Sequence, residues 1–286
     1  MLDVLAPAQR EVGRRWEEGS WSVAQEHAAT AVTDVTLGLL ALDAEPAGKG
    51  WAVVGCVEGE WHALPARMAA EILPLRGWEV TFLGPSLPSD ELSRVCRRRP
   101  DVVGLSCSMP FSLRGAARSV AACRKEGVPV LTGGSGFGPG GRYASRLGAT
   151  GWAPDPAAAV TLLEDWTRTG APSKSPSPPV DDEHLELELE NDAIVSQAMA
   201  HLDWEDRGAK EALVFLISTL ENALFVDDPA AMAGSRPAVD RMLAGCQRTG
   251  VSGTTAVEAL VGVLHGRLSR AQQFLEQTWS PGSIRR

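Results

Sequence analysis

The chain has 286 residues, 44% of them hydrophobic, enough for two globular cores or for one core with a large extension. A net charge of −9 excludes a broad nucleic-acid footprint, and Arg97-Arg98-Arg99 reads as the cationic end of a helix meeting its negative dipole. Five cysteines without a Cys-x-x-Cys pair argue against a zinc site and fit free thiols in a reducing cytoplasm. No leader and no bilayer-spanning apolar run is expected, so neither a membrane nor nucleic acid is an expected partner.

Residues 1–47 read as two helices broken at Gly19-Ser20. Leu5, Ala8, Val12 and Trp16 recur at three- and four-residue steps, and Ser22 and Gln25 have the spacing of a capping box. Two helices cannot enclose their own apolar faces. They must pack on something else in this chain or on a second copy, and a homodimer is expected.

Residues 50–168 alternate strand and helix signals five times, with strands near 51–57, 78–83, 101–106, 128–132 and 150–153. Short apolar runs between amphipathic segments predict parallel strands with right-handed crossovers, a flavodoxin-like α/β fold of Rossmann type. Ligands then sit beyond the carboxyl ends of the strands, where His62, Ser106, Ser108 and Gly133 all fall.

In Gly59-Glu60-Trp61-His62-Ala63-Leu64, a carboxylate and an imidazole lie two residues apart just after the first strand. One ring nitrogen can then bind a metal while another group fixes the tautomer. Ser106-Cys107-Ser108 follows the third strand and Gly133-Gly134 the fourth. Gly136-Phe137-Gly138-Pro139-Gly140-Gly141 satisfies the dinucleotide fingerprint, with Asp155 downstream. That fingerprint belongs at the first strand–helix turn, however, which here holds His62. The dinucleotide reading is rejected.

Residues 169–180 are a Pro- and Ser-rich linker, and residues 181–286 read as an all-helical domain. Its helices are expected near 191–202, 208–226, 236–247 and 253–278. Leu185, Leu187 and Leu189 alternate with Glu in a strand-like period.

Taken together, the loop, serine and glycine motifs over 50–168 resemble the cobalamin-binding domain. The resemblance implies that His62 is the lower axial ligand to cobalt, with Glu60 behind it. It also implies that Ser106, Ser108, Gly133 and Gly134 line the slot for the nucleotide tail. Two departures stand out: Pro65 occupies a position that is Gly in the family pattern, and Glu17 stands where CarH-type members carry a His. The string Val12-Gly13-x-x-Trp16 through Ser22-Val23-Ala24-x-Glu26-His27-x-x-Thr30 resembles the helical cap of the CarH-type cobalamin photoreceptors. There the cap covers the upper cobalt face and an adenosyl group, which places Trp16, Val23, Glu26 and His27 opposite His62. The DNA-binding domain of those repressors is not expected in this chain.

The C-terminal helices resemble, more distantly, the globin-like domain of the photocobilins. That likeness implies a linear tetrapyrrole such as biliverdin; His201, Arg236, Arg241 and His265 are then candidates for its polar contacts or else solvated helix residues, and Cys246 is a candidate attachment point or else a free thiol. The expected function is an adenosylcobalamin-dependent light sensor that is not itself an enzyme. The alternatives are a corrinoid carrier for methyl transfer and, for the C-terminal block, a plain dimerisation module.

Overall fold

The computed structural model describes residues 2–40, 48–173, 175–177, 179–232, 234–244 and 252–279. The chain divides into two compact units, residues 1–177 and 178–286.

The first unit opens with α1 (Leu2–Glu17) and α2 (Val23–Leu40), which pack on each other. Their break falls at Gly19, whose φ of +71° lets the chain reverse. Ser22 then caps α2. Its amide donates to the Gln25 side chain at 2.9 Å, and the Gln25 amide donates back to the Ser22 hydroxyl at 3.3 Å.

Five strands follow: β1 (Trp51–Cys56), β2 (Glu79–Phe82), β3 (Val102–Ser106), β4 (Val130–Gly133) and β5 (Gly151–Ala153). Every strand pair is parallel, in the order β2-β1-β3-β4-β5. The crossovers are α3 (Leu64–Ile72), α4 (Ser89–Cys96), α5 (Leu113–Lys125) and the short α6 (Arg142–Arg146); α7 (Pro156–Thr169) follows β5. Alternation along β1 turns Ala52, Val54 and Cys56 to one face. There they join Val102, Leu131 and Ala153 from neighbouring strands and Ala66, Ala70, Val160 and Leu163 from α3 and α7. The strand order reverses direction between β1 and β3. The crevice above that switch point is where such sheets bind ligands.

Arg97, the first of the three consecutive arginines, caps the C-terminal end of α4. The glycine-rich segment after β4 makes two short 3-10 turns rather than a phosphate-cradling helix start. Asp155 is the N-cap of α7, its carboxylate accepting from the Ala158 amide at 2.8 Å.

The second unit is helical: α8 (Glu183–His201), α9 (Arg207–Phe225), α10 (Ser235–Ala244), α11 (Gly253–Leu264) and α12 (Ser269–Trp279). One segment that the pattern left open is resolved, and one expectation is corrected. The Leu/Glu alternation at 185–189 is helical, because Leu and Glu both favour helix and the buried positions His184, Leu187, Ile194, Val195 and Ala198 follow helical spacing. The expected single helix over 253–278 is two, broken where His265 leaves helical geometry and Gly266 takes φ +74°.

Polar contacts tie this unit together. Arg270 bridges Asp181 and Asp227, and Glu183 caps α12 by accepting from the Ala271 amide at 2.8 Å. His201 and His265 are both exposed, so neither points between helices. Arg236 is half-buried over the Trp279 ring, and Arg241 is half-buried. The buried histidine of the unit is His184, which lies against Phe225 with ring centroids 5.3 Å apart. Cys246 lies outside the described residues.

Candidate functional site

The loop leaving β1 is built around one buried carboxylate. Glu60 is 1% exposed, and both of its oxygens are engaged. Oε1 accepts from the His62 amide at 2.9 Å and lies 2.6 Å from His62 Nδ1. Oε2 accepts from the amides of Ser108 at 2.7 Å and Met109 at 3.0 Å. A single side chain thus fastens the β1–α3 loop to the β3–α5 loop, across the switch point of the sheet.

These contacts set the protonation states. Burial alone would push the Glu60 carboxyl up, but the hydrogen bonds from the His62 ring and amide and from Ser108 outweigh it, and the carboxylate is held below its usual range. The hydrogen bond to Glu60 in turn raises His62, against the opposing effect of burial, and the charge of Glu26 adds to the rise. Cys56 is pushed up to about 12, first by burial and then by Glu60. It therefore stays a neutral thiol, with Sγ donating to the His62 carbonyl at 3.7 Å. Burial and Glu60 likewise keep Cys107 protonated, donating to the Met109 carbonyl at 3.3 Å.

The His62 side chain itself is 59% exposed. With Nδ1 held by Glu60, its free Nε2 is the nitrogen that can ligate a metal. A carboxylate–imidazole pair of this kind fixes the tautomer and raises ligand basicity. Among the described residues no group of three or more His, Cys, Asp or Glu has metal-holding geometry, so any metal here takes one protein nitrogen and brings its remaining ligands with it. A macrocyclic cofactor has that property.

Beside this loop, between the sheet and helices α3 and α7, lies an apolar cavity of about 110 Å³. Ser106, Gly133 and Gly134 line it together with Pro65, Ala66, Ala69 and Asp155. That volume suits a small ring system and not a whole corrinoid. Gly134 is required by the protein's own packing: its φ is +103°, and a Cβ there would lie 2.3 Å from the Cys107 carbonyl oxygen. Ser108 is not among the lining residues; its backbone holds Glu60 and its carbonyl accepts from Ser135 Oγ at 2.9 Å. Pro65 sits in the first turn of α3, where its missing N–H costs nothing.

Comparison with known proteins explains this arrangement. Residues 50–161 match the family model described as the B12 binding domain, and residues 1–41 match a second model with the same description. The dimethylamine corrinoid protein 3 of Methanosarcina mazei is 30% identical over 166 residues, covering 54% of this chain and 97% of that protein. The chain belongs to the B12-binding family.

It is a cobalamin-binding protein by that membership. The HTH-type transcriptional repressor CarH of Myxococcus xanthus is 37% identical over 138 residues, covering 46% of each chain. The present chain thus spans about half the length of that relative. The solved structure of the Methanosarcina barkeri monomethylamine corrinoid protein shares the fold at a TM-score of 0.50 with 19% identity, covering 56% of this chain and 80% of that one. No described helix is long and apolar enough to cross a membrane.

The residues present fit a cobalamin. His62 would hold the cobalt through its exposed Nε2, and Ser106 with the glycines would border the cofactor's tail in the apolar cavity. On the cap, the N-terminal part of α2 carries Val23, Glu26 and His27, and α1 ends beside Trp16. Glu26 accepts from the Thr30 hydroxyl at 2.8 Å, which in turn accepts from Gln9 of α1 at 3.1 Å. His27 Nε2 lies 3.5 Å from Glu26 and its side chain is 74% exposed. Trp16 is 37% and Val23 53% exposed. Since the charge of Glu26 acts on His62, the cap's polar face and the ligand loop share one neighbourhood.

Sequence reasoning did not find the Ser108 and Met109 amides as partners of Glu60, because backbone donors leave no mark in side-chain identity. Asp155 was weighed only as part of a dinucleotide fingerprint. Its position at the start of the helix after β5 was the available signal that it borders the cavity.

Proposed function

We propose that the chain is an adenosylcobalamin-dependent light sensor. The observation that carries this reading is the cap: Trp16, Glu26 and His27 stand on α1 and α2 in the spacing of the CarH-type cap, and Glu26 is close enough to act electrostatically on His62. When bound, the cofactor supplies a light-labile cobalt–carbon bond. The chain's residues do the rest. Glu60 holds the His62 ring in the tautomer that offers Nε2. Trp16 is a large half-exposed indole suited to packing over a nucleoside, and Glu26 is a carboxylate suited to accepting from ribose hydroxyls. These contacts exist only while an adenosyl group is present, so its loss removes a differential interaction and shifts the cap.

The bilin reading of residues 181–286 draws no support from His201 and His265, which are exposed. Those residues are better read as an output or dimerisation unit.

A second reading, a methyl carrier, is favoured by one observation: the match covers 97% of a dimethylamine corrinoid protein. Dark titration with adenosylcobalamin and methylcobalamin separates the two. The light-sensor reading requires tighter binding of the adenosyl form and a smaller difference in Trp16→Ala. Equal affinities, unchanged by the substitution, establish the carrier reading instead.

A further inference from the structure

Trp61 is 73% exposed, between the buried Glu60 and the ligand His62. Among the described residues its indole N–H meets no hydrogen-bond acceptor. A large aromatic side chain left in water forgoes the burial that normally stabilises it. The backbone on either side is not free to turn it away. The Glu60 amide donates to the Val57 carbonyl at 3.0 Å, the Ser86 amide donates to the Glu60 carbonyl at 2.8 Å, and the Ala63 amide donates to the Trp61 carbonyl at 2.9 Å. Glu60 itself grips the His62 amide and ring. The loop is therefore built to hold an indole outward, one residue from the imidazole.

We infer that Trp61 is a corrin-binding residue: its ring packs against the edge of the macrocycle and its N–H donates to an amide arm of the cofactor. The inference rests on His62 being the cobalt ligand. Consecutive Cα atoms are about 3.8 Å apart. The corrin with its peripheral acetamides and propionamides reaches well beyond that distance around the cobalt, so a side chain next to the ligand meets the ring or its arms. Those arms offer carbonyl acceptors and methylene groups, which match an indole's donor and apolar face. The same contact stiffens His62 against swinging out of ligation.

The test uses the full-length protein and hydroxocobalamin. In hydroxyl-radical footprinting read by mass spectrometry, wild-type Trp61 is oxidised readily without cofactor and protected once hydroxocobalamin is bound. Trp61→Ala retains the imidazole-ligated visible spectrum at saturation but binds on the order of 10- to 100-fold more weakly. Trp61→Phe keeps the apolar contact without the donor and falls between the two. If Trp61→Ala folds poorly, footprinting of the wild type and the Phe variant decide alone. Trp61 equally oxidised with and without cofactor, or Trp61 variants of wild-type affinity, overturn the inference. Failure of the underlying ligation looks different: His62→Ala then shows the same bound spectrum as wild type.

Discussion

At the scale of single residues, Glu60 and His62 act as one unit, and their titration gives a checkable signature. Glu60 is held below and His62 above its ordinary value by the bond between them. The Glu60 contribution to stability is present above the unfolded carboxyl pKa and is lost as pH falls through the lowered folded value. The His62 contribution is present below the unfolded imidazole pKa and is lost as pH rises through the raised folded value. Both are in force between about pH 4.3 and 6.5, the unperturbed values of the two groups. Urea unfolding of cofactor-free protein should therefore show Glu60→Gln most destabilised relative to wild type in that window, with the gap narrowing at higher pH. NMR titration should place the His62 ring above an ordinary histidine and drop it in Glu60→Gln. A ring that titrates identically in both proteins contradicts the pairing.

The same two residues divide the cofactor affinity. On the proposed ligation His62→Ala removes the cobalt ligand, so the bound spectrum should lose its imidazole-ligated form. Glu60→Gln should retain that form while affinity falls about 10- to 100-fold, the usual cost of losing a ligand's orienting partner. Absorption titrations check both.

At the scale of elements, the loops that meet above the switch point are packed through bare backbone. Gly134 faces the Cys107 carbonyl, and a Cβ on Gly115 of α5 would lie 1.8 Å from the Glu58 carbonyl oxygen. Gly134→Ala should cost at least about 2 kcal/mol in urea unfolding, through overpacking and a φ that L residues avoid. Gly140→Ala is the matched control. It also has positive φ, but a Cβ there meets nothing within 4 Å, so its loss should be smaller. Equal losses would mean that φ alone governs the site.

The strands were readable from their apolar runs, and the observed bounds differ from the expected ones by only a few residues at each end. Loops were readable only where a side chain carried the chemistry. Glu60 and His62 announced themselves by type and spacing. The partners of Glu60 are amides some fifty positions away, brought close by the β1–β3 pairing, and no local pattern encodes that. At Leu185–Leu189 a strand-like period of two inside a helical neighbourhood left the segment open. The window was too short to show the helical period that His184, Leu187 and Ile194 share.

At the scale of the whole molecule, α1 and α2 form the element whose position can report cofactor state. Val32, Val35 and Leu39 on α2 are more than half exposed, so the cap is only partly anchored by apolar packing. Bonds such as Gln9 to Thr30 and Thr30 to Glu26 hold it together instead. Polar contacts of this kind are individually modest, so under the proposed light-sensor reading an adenosyl group packed under Trp16 would add a term large enough to matter.

The most direct measurement is hydrogen–deuterium exchange over residues 2–40, in protein loaded with adenosylcobalamin, before and after illumination, with the methylcobalamin form as control. The sensor reading requires slow exchange in α1 and α2 in the dark adenosyl form, and faster exchange after light, approaching the methyl form. Exchange in these helices that is the same in all three states would contradict it.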